Sequence, residues 1–237
     1  MKMLGLIGGM SWESTAIYYQ NLNQIARERL GGLSSAQLLL WSVEFASIAK
    51  LQADGEWDKL TAIMVDAARR LERAGAEALL ICANTMHKMA PEVEAAVSVP
   101  LIHIADVAAN EVKRAGCARP LLLATRFVME EDFYKSRLQA RHGIEAIIPP
   151  EADRLALHRM IFQELCQGIV SPASKTEFFS IIASARKDYG IDGVILGCTE
   201  FGLLAGQADL DIPVFDTAAL HAKAAMDFAL NTEGALQ

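Results

Sequence analysis

One pattern occurs twice in this chain, and the repetition constrains the fold more than any other feature. Gly75-Ala76-Glu77-Ala78-Leu79-Leu80-Ile81-Cys82-Ala83-Asn84-Thr85 lies on Gly190-Ile191-Asp192-Gly193-Val194-Ile195-Leu196-Gly197-Cys198-Thr199-Glu200 without a gap. Each copy runs from a glycine through a small or acidic pair into an apolar stretch with a polar end. Short apolar runs of this kind read as buried parallel strands. Strand-like runs at Leu4–Ile7, Leu38–Val43, Ala78–Cys82, Leu101–Ile104, Pro120–Leu123, Ile144–Ile148, Val194–Leu196 and Pro213–Asp216 alternate with longer helical patterns. The alternation predicts an α/β fold with parallel sheets and helices on both faces. The repeat, offset by about 115 residues, predicts two similar doubly wound subdomains related by a pseudo-twofold duplication. The expected division is 1–98 plus 212–237 and 99–211, with a hinge near 98–101, the last strand and helix returning to the first half, and an active-site cleft between the halves.

Composition narrows the functional classes. The chain has 237 residues, 52% hydrophobic, with a formal net charge of −7 and four cysteines. That length supports one large core or two smaller ones. The acidic balance argues against general nucleic-acid binding, which requires a basic face, while an anionic substrate stays possible in a locally positive pocket. No apolar stretch reaches the ~18 residues of a membrane span. The opening run through Gly9 reads as a first buried strand rather than a secretory signal, and the cysteines read as reduced thiols. A cytoplasmic protein is expected.

Ligands in parallel sheets bind beyond the carboxyl ends of the strands. The informative ends are Gly8-Gly9-Met10, Ala83-Asn84-Thr85, Thr125-Arg126 and Cys198-Thr199-Glu200. Cys198, placed between a strand and a helical turn, is expected to feel backbone N–H groups that favour thiolate, and so to suit proton transfer or nucleophilic attack. The overlay makes Ala83, not Cys82, the mate of Cys198. Side chains one apart on a strand point to opposite faces, so Cys82 reads as a small buried hydrophobe.

Four segments, in order, resemble the aspartate/glutamate racemase family: Gly8-Gly9-Met10-Ser11-Trp12-Glu13-Ser14-Thr15, Asn84-Thr85-Met86-His87, Gly197-Cys198-Thr199-Glu200 and Pro213-Val214-Phe215-Asp216-Thr217. The resemblance covers the whole chain. It implies cofactor-independent, PLP-independent inversion at Cα of a small amino acid or dicarboxylate by two opposed thiols, in a homodimer, with no metal. The family's first cysteine stands immediately before the Asn-Thr pair; here that position is Ala83, which cannot exchange protons. The resemblance therefore implies that Cys198 acts without its partner and that two-base turnover is impaired. Met10, Gln52, Asn84, Thr85, Thr125 and Thr199 are the positions it assigns to substrate. Gln52, expected in a loop before Gly55, stands where basic members carry a cation. The alternatives are a single-cysteine decarboxylase or isomerase of the same superfamily, or a degenerate member that only binds an amino acid.

Other residues read less sharply. Thr199 suits a substrate contact as well as a helix cap, with Glu200 as the acid of the first turn. Gly8-Gly9 suits a tight turn or a close backbone approach to an anion. Arg126 faces either a substrate acid or solvent, and Arg154, His158 and Arg159, spaced on one helix, stand near the other cationic position of the family that the chain resembles or form a solvated face. His87 reads as a structural hydrogen bond. His103, His142 and His221 lack metal-ligand spacing, and Cys117 and Cys166 read as incidental.

Overall fold

Leu4–Gly8 is buried at every position, which only a strand covered on both faces permits. It forms β1, the centre of a parallel sheet. In the computed structural model, which describes residues 1–231, the chain divides into two units: Met1–Ile104 with the chain from His221 onward, and Ala105–Leu220.

The first unit runs β1, α1 (Trp12–Leu30), β2 (Leu38–Ser42), α2 (Phe45–Ala53), α3 (Trp57–Arg73), β3 (Ala78–Ile81) and α4 (Ala90–Ala96). The sheet order is β2-β1-β3, all parallel, so each strand connection needs a crossover helix. Ser11 caps α1 by accepting from the Ser14 N–H, as expected of a serine before a helical pattern. In α3 the buried residues Leu60, Met64, Ala67, Ala68 and Leu71 form one stripe at helical spacing. Each of its large apolar side chains contributes about 2 kcal/mol of transfer free energy. The stripe packs in a cluster with Ile7, Leu79, Ile81 and Met86. Asn84 stands at the N-cap position of a short 3-10 helix and makes no side-chain capping bond there. Thr85–Met89 is a 3-10 turn, and α4 follows with Pro91 in its first turn, where a missing N–H costs nothing.

The second unit runs α5 (Ile104–Arg114, beginning at the boundary), β4 (Leu121–Ala124), α6 (Arg126–Glu130), α7 (Asp132–His142), α8 (Glu151–Gln163), α9 (Pro172–Tyr189), β5 (Val194–Gly197), β6 (Val214–Asp216) and the start of α10 (Thr217–Leu230). Its sheet is β4-β5-β6, again wholly parallel. The extended backbone of Glu131 separates α6 from α7.

The runs at 101–104 and 144–148 were expected as strands. Each supplies a single parallel bridge instead, Leu79↔Leu101 and Leu121↔Ile147. With those bridges the two orders become β2-β1-β3-Leu101 and Ile147-β4-β5-β6. The same winding therefore occurs twice, with β4 equivalent to β1 and β5 to β3. The expected division is corrected at both ends. The first boundary lies at 104/105. The last strand does not return to the first half: β6 pairs with β5 in the register Val194↔Val214 and Ile195↔Phe215. Only α10 from His221 onward belongs with the first unit. His221 there accepts from the Tyr18 hydroxyl (2.8 Å) and donates to the Ile102 carbonyl (2.7 Å).

Candidate functional site

At the end of β1, Gly9 has φ +87°, and a Cβ there would stand 2.4 Å from the Val43 carbonyl oxygen. Only glycine fits such a turn. The Gly9 N–H donates to Thr15 Oγ1 at 2.8 Å, so this N–H is committed to the fold rather than presented to an anion. Met10 follows, buried in the apolar cluster that also holds Ala83 and Met86.

β3 ends one strand over. Cys82 is completely buried and its N–H donates to the Ile7 carbonyl. Burial alone drives its thiol far above the ordinary cysteine range, as an inert structural cysteine requires. Ala83 is 7% exposed, with Asn84 and Thr85 similarly buried beside it. His87 holds this strand end. Its Nε2 accepts from the Ile104 N–H at 3.3 Å, so its Nδ1 carries the proton and donates to the Ala83 carbonyl at 2.9 Å. Gln52 lies in α2, not in a loop. Its buried side-chain amide donates to the Met86 sulfur at 3.1 Å.

In the second unit, Ala124 is in register with Gly197, so Thr125 and Cys198 leave adjacent strands side by side. A Cβ on Gly197 would meet Leu122 Cδ1 and Ala124 Cβ at 2.8 and 3.1 Å, so a larger residue before Cys198 would make the Leu122 side chain shift. Thr125 caps α6 by accepting from the Val128 N–H. The Arg126 side chain is part-exposed and paired within the chain. It grips Glu130 with two nitrogens at 3.0–3.2 Å, and Arg154 binds the same carboxylate at 3.0 Å. Arg126, Phe127, Glu130, Glu131 and His158 line a cavity of about 280 Å³. Burial, then the Arg126 charge, holds His158 below its ordinary range.

Cys198 is 6% exposed, and its Sγ–H donates to Glu200 Oε2 at 3.0 Å. The same oxygen accepts from the Thr199 hydroxyl at 2.8 Å, and Oε1 accepts from the Cys166 thiol at 3.6 Å. The expectation of a favoured thiolate is overturned. Burial, and next the charge of Glu200, push the Cys198 thiol well above its usual value. The helical turn that follows, Thr199–Leu203, is a single short 3-10 segment and supplies too small a dipole to offset both effects. Cys198 rests as a thiol beside a built-in proton acceptor. The Thr199 hydroxyl hydrogen points at Glu200, not outward to a ligand.

Sequence reasoning missed two members of this cluster. Glu200 was read as a helix-cap acid and Cys166 as incidental. Cys166 arrives from the turn after α8, far from Cys198 along the chain, and carries no motif. The first unit thus gathers Met10, Ala83, Asn84 and Thr85 at its strand ends, with Gln52 held on Met86. The second gathers Thr125, Cys198, Thr199 and Glu200. Among the described residues no group of three or more His, Cys, Asp or Glu could hold a metal ion, and no helix is long and apolar enough to cross a membrane.

Comparison with known proteins gives a consistent result. A family profile described as Asp/Glu/Hydantoin racemase matches residues 7–225. The chain is 21% identical over 226 residues to a broad specificity amino-acid racemase of Bacillus subtilis (strain 168), covering 93% of this chain and 95% of that protein. Among solved structures it is similar to a candidate Asp/Glu racemase from Yersinia pestis, with 48% identity, a TM-score of 0.89 and coverage of 98% of this chain and 100% of that one. An aspartate racemase homologue from Pyrococcus horikoshii OT3 is 35% identical, with a TM-score of 0.85 and coverage of 98% and 100%.

Proposed function

This chain belongs to the Asp/Glu/hydantoin racemase family and is an isomerase, and on that premise we propose that it moves the α-proton of an acidic amino acid through the Cys198 sulfur, without a cofactor. The observation that carries the reading is the hydrogen bond from Cys198 to Glu200 at the carboxyl end of β5. An α-proton beside a carboxylate is a very weak acid, so removal needs both an aligned base and stabilisation of the developing enediolate. In this reading Glu200 takes the thiol proton, the Cys198 thiolate takes the α-proton, and Thr125 donates to the substrate carboxylate. Thr199 donates as well once Glu200 is protonated and its hydroxyl is released.

Ala83 makes the reading asymmetric. The equivalent strand end in the other repeat carries no proton-transfer group, so exchange from one face of Cα outpaces inversion. An acidic amino acid is the leading substrate because the similar proteins are named for aspartate and glutamate. Gln52, engaged with Met86, supplies no positive charge for a second carboxylate, which favours a range of amino acids over one strict dicarboxylate. A cytoplasmic homodimer belongs to the same reading. The four cysteines are free thiols. Light scattering tests the dimer.

Ala83→Cys is the informative variant. Chiral chromatography of L- and D-glutamate and aspartate should show inversion rising at least tenfold over the parent chain, with Cys198→Ser inactive in either background. An unchanged inversion rate would overturn the pairing of residues 83 and 198. Release of CO₂ from a substituted malonate, with no amino-acid exchange, would favour the decarboxylase.

A further inference from the structure

We propose that Cys166 and Glu200 form a proton relay that connects the buried Cys198 sulfur to solvent. The inference rests on the function proposed above only in assigning Cys198 the substrate's proton; the relay itself is a property of three side chains. Glu200 is 2% exposed, and a buried carboxylate must be satisfied by donors. The donors here include two thiols on different oxygens, Cys198 on Oε2 at 3.0 Å and Cys166 on Oε1 at 3.6 Å. The carboxylate thus stands between them. Cys198 is buried, whereas Cys166 is partly exposed at the turn Leu165–Gln167.

A site with one thiol needs such an outlet. Once Cys198 has taken the α-proton, it can return the same proton or exchange it first. Exchange through the carboxylate moves one proton per step and forms no covalent bond. Once Glu200 has handed outward the proton it took earlier, Cys198 Sγ–H passes its proton to the freed carboxylate and becomes a thiolate. Glu200 passes a proton to the Cys166 sulfur, whose own proton has gone to water. The reverse sequence brings a solvent proton inward. In heavy water the net change is one S–H and one D₂O becoming one S–D and one HDO at Cys198. Glu200 and Cys166 are positioning residues in this scheme, because neither touches substrate.

The test needs no substrate. The S–H stretching band of Cys198 is assigned by its loss in Cys198→Ala, and its decay is followed by rapid-mixing infrared spectroscopy after dilution into D₂O. The relay predicts that Cys166→Ala and Glu200→Gln slow this decay at least fivefold, that Cys166→Ser recovers part of it, and that Cys117→Ala leaves it unchanged. Glu200→Gln must also shift the S–H frequencies of both Cys198 and Cys166, which checks the shared hydrogen bonds; the slowed decay is the signature that a merely structural acid would not give. Equal decay in Cys166→Ala and the parent chain would overturn the relay, as would slowing in Cys117→Ala of the same size. If the thiol results hold while no amino acid exchanges its α-proton, the functional reading fails and the relay stands.

Discussion

His221 should make the first unit acid-sensitive, by an amount that follows from its surroundings. It is completely buried, with Nε2–H donating to the Ile102 carbonyl and Nδ1 accepting from the Tyr18 hydroxyl. The ring of His87 lies edge-on at 5.9 Å. Both ring nitrogens are occupied in the neutral form, and protonating Nδ1 would set a donor where the Tyr18 hydroxyl now gives its hydrogen. Burial lowers the His221 pKa from 6.5 to about 4. Between those values the unfolded chain binds the proton and the folded one does not, so stability rises with pH. His221's contribution is complete above about pH 6.5 and lost as pH falls through 4. At about 1.4 kcal/mol per pK unit, the loss is about 3 kcal/mol. The perturbation is His221→Gln, whose amide keeps a donor to Ile102 and does not titrate. Urea unfolding of both proteins from pH 7.5 to pH 3.5 gives the gap between their stabilities. Other titrating groups cancel in that gap, which should shrink by about 3 kcal/mol on acidification. A gap constant across the range would refute the neutral, buried assignment and the docking of α10 through this residue.

Two substitutions test the strand ends directly. Gly9→Ala should destabilise the protein by about 2 kcal/mol, because φ +87° is unfavourable for alanine and its Cβ would press on the Val43 carbonyl; calorimetry showing no loss would contradict the turn geometry. Cys82→Ser should leave α-proton exchange intact while costing roughly 1–3 kcal/mol for a hydroxyl placed in an apolar core. A kinetic loss at unchanged stability would make Cys82 the missing thiol after all.

The legible parts of the fold were those where one local pattern decides the outcome. Buried runs at β1, β3, β4 and β5 have no polar face and must lie inside a parallel sheet. Ser11 marks a helix start by local hydrogen bonding. Leu101 and Ile147 were misjudged because their apolar character matches that of a strand, while pairing depends on how far the neighbouring strand extends. The allegiance of β6 was likewise hidden, since strand order is set by long-range packing. At the site, the full burial of Cys82 was readable from the apolar run that leads into it. The protonation of Cys198 was not. It depends on burial and on the direction in which Glu200 turns, and both arise only once Cys166, Thr199 and Glu200 are brought together. Gln52 was placed in a loop because Gly55 signals a turn, but the hydrogen bonds of α2 extend through Ala53.

The central claim is that Cys198 carries the α-proton alone, with a blank position at Ala83. Proton NMR of L- and D-glutamate and aspartate incubated in D₂O tests it, combined with chiral separation of the same samples. The account predicts loss of the α-proton signal from one enantiomer at least tenfold faster than the other enantiomer appears, and no exchange in Cys198→Ser. Inversion as fast as exchange, or exchange that survives Cys198→Ser, would contradict it.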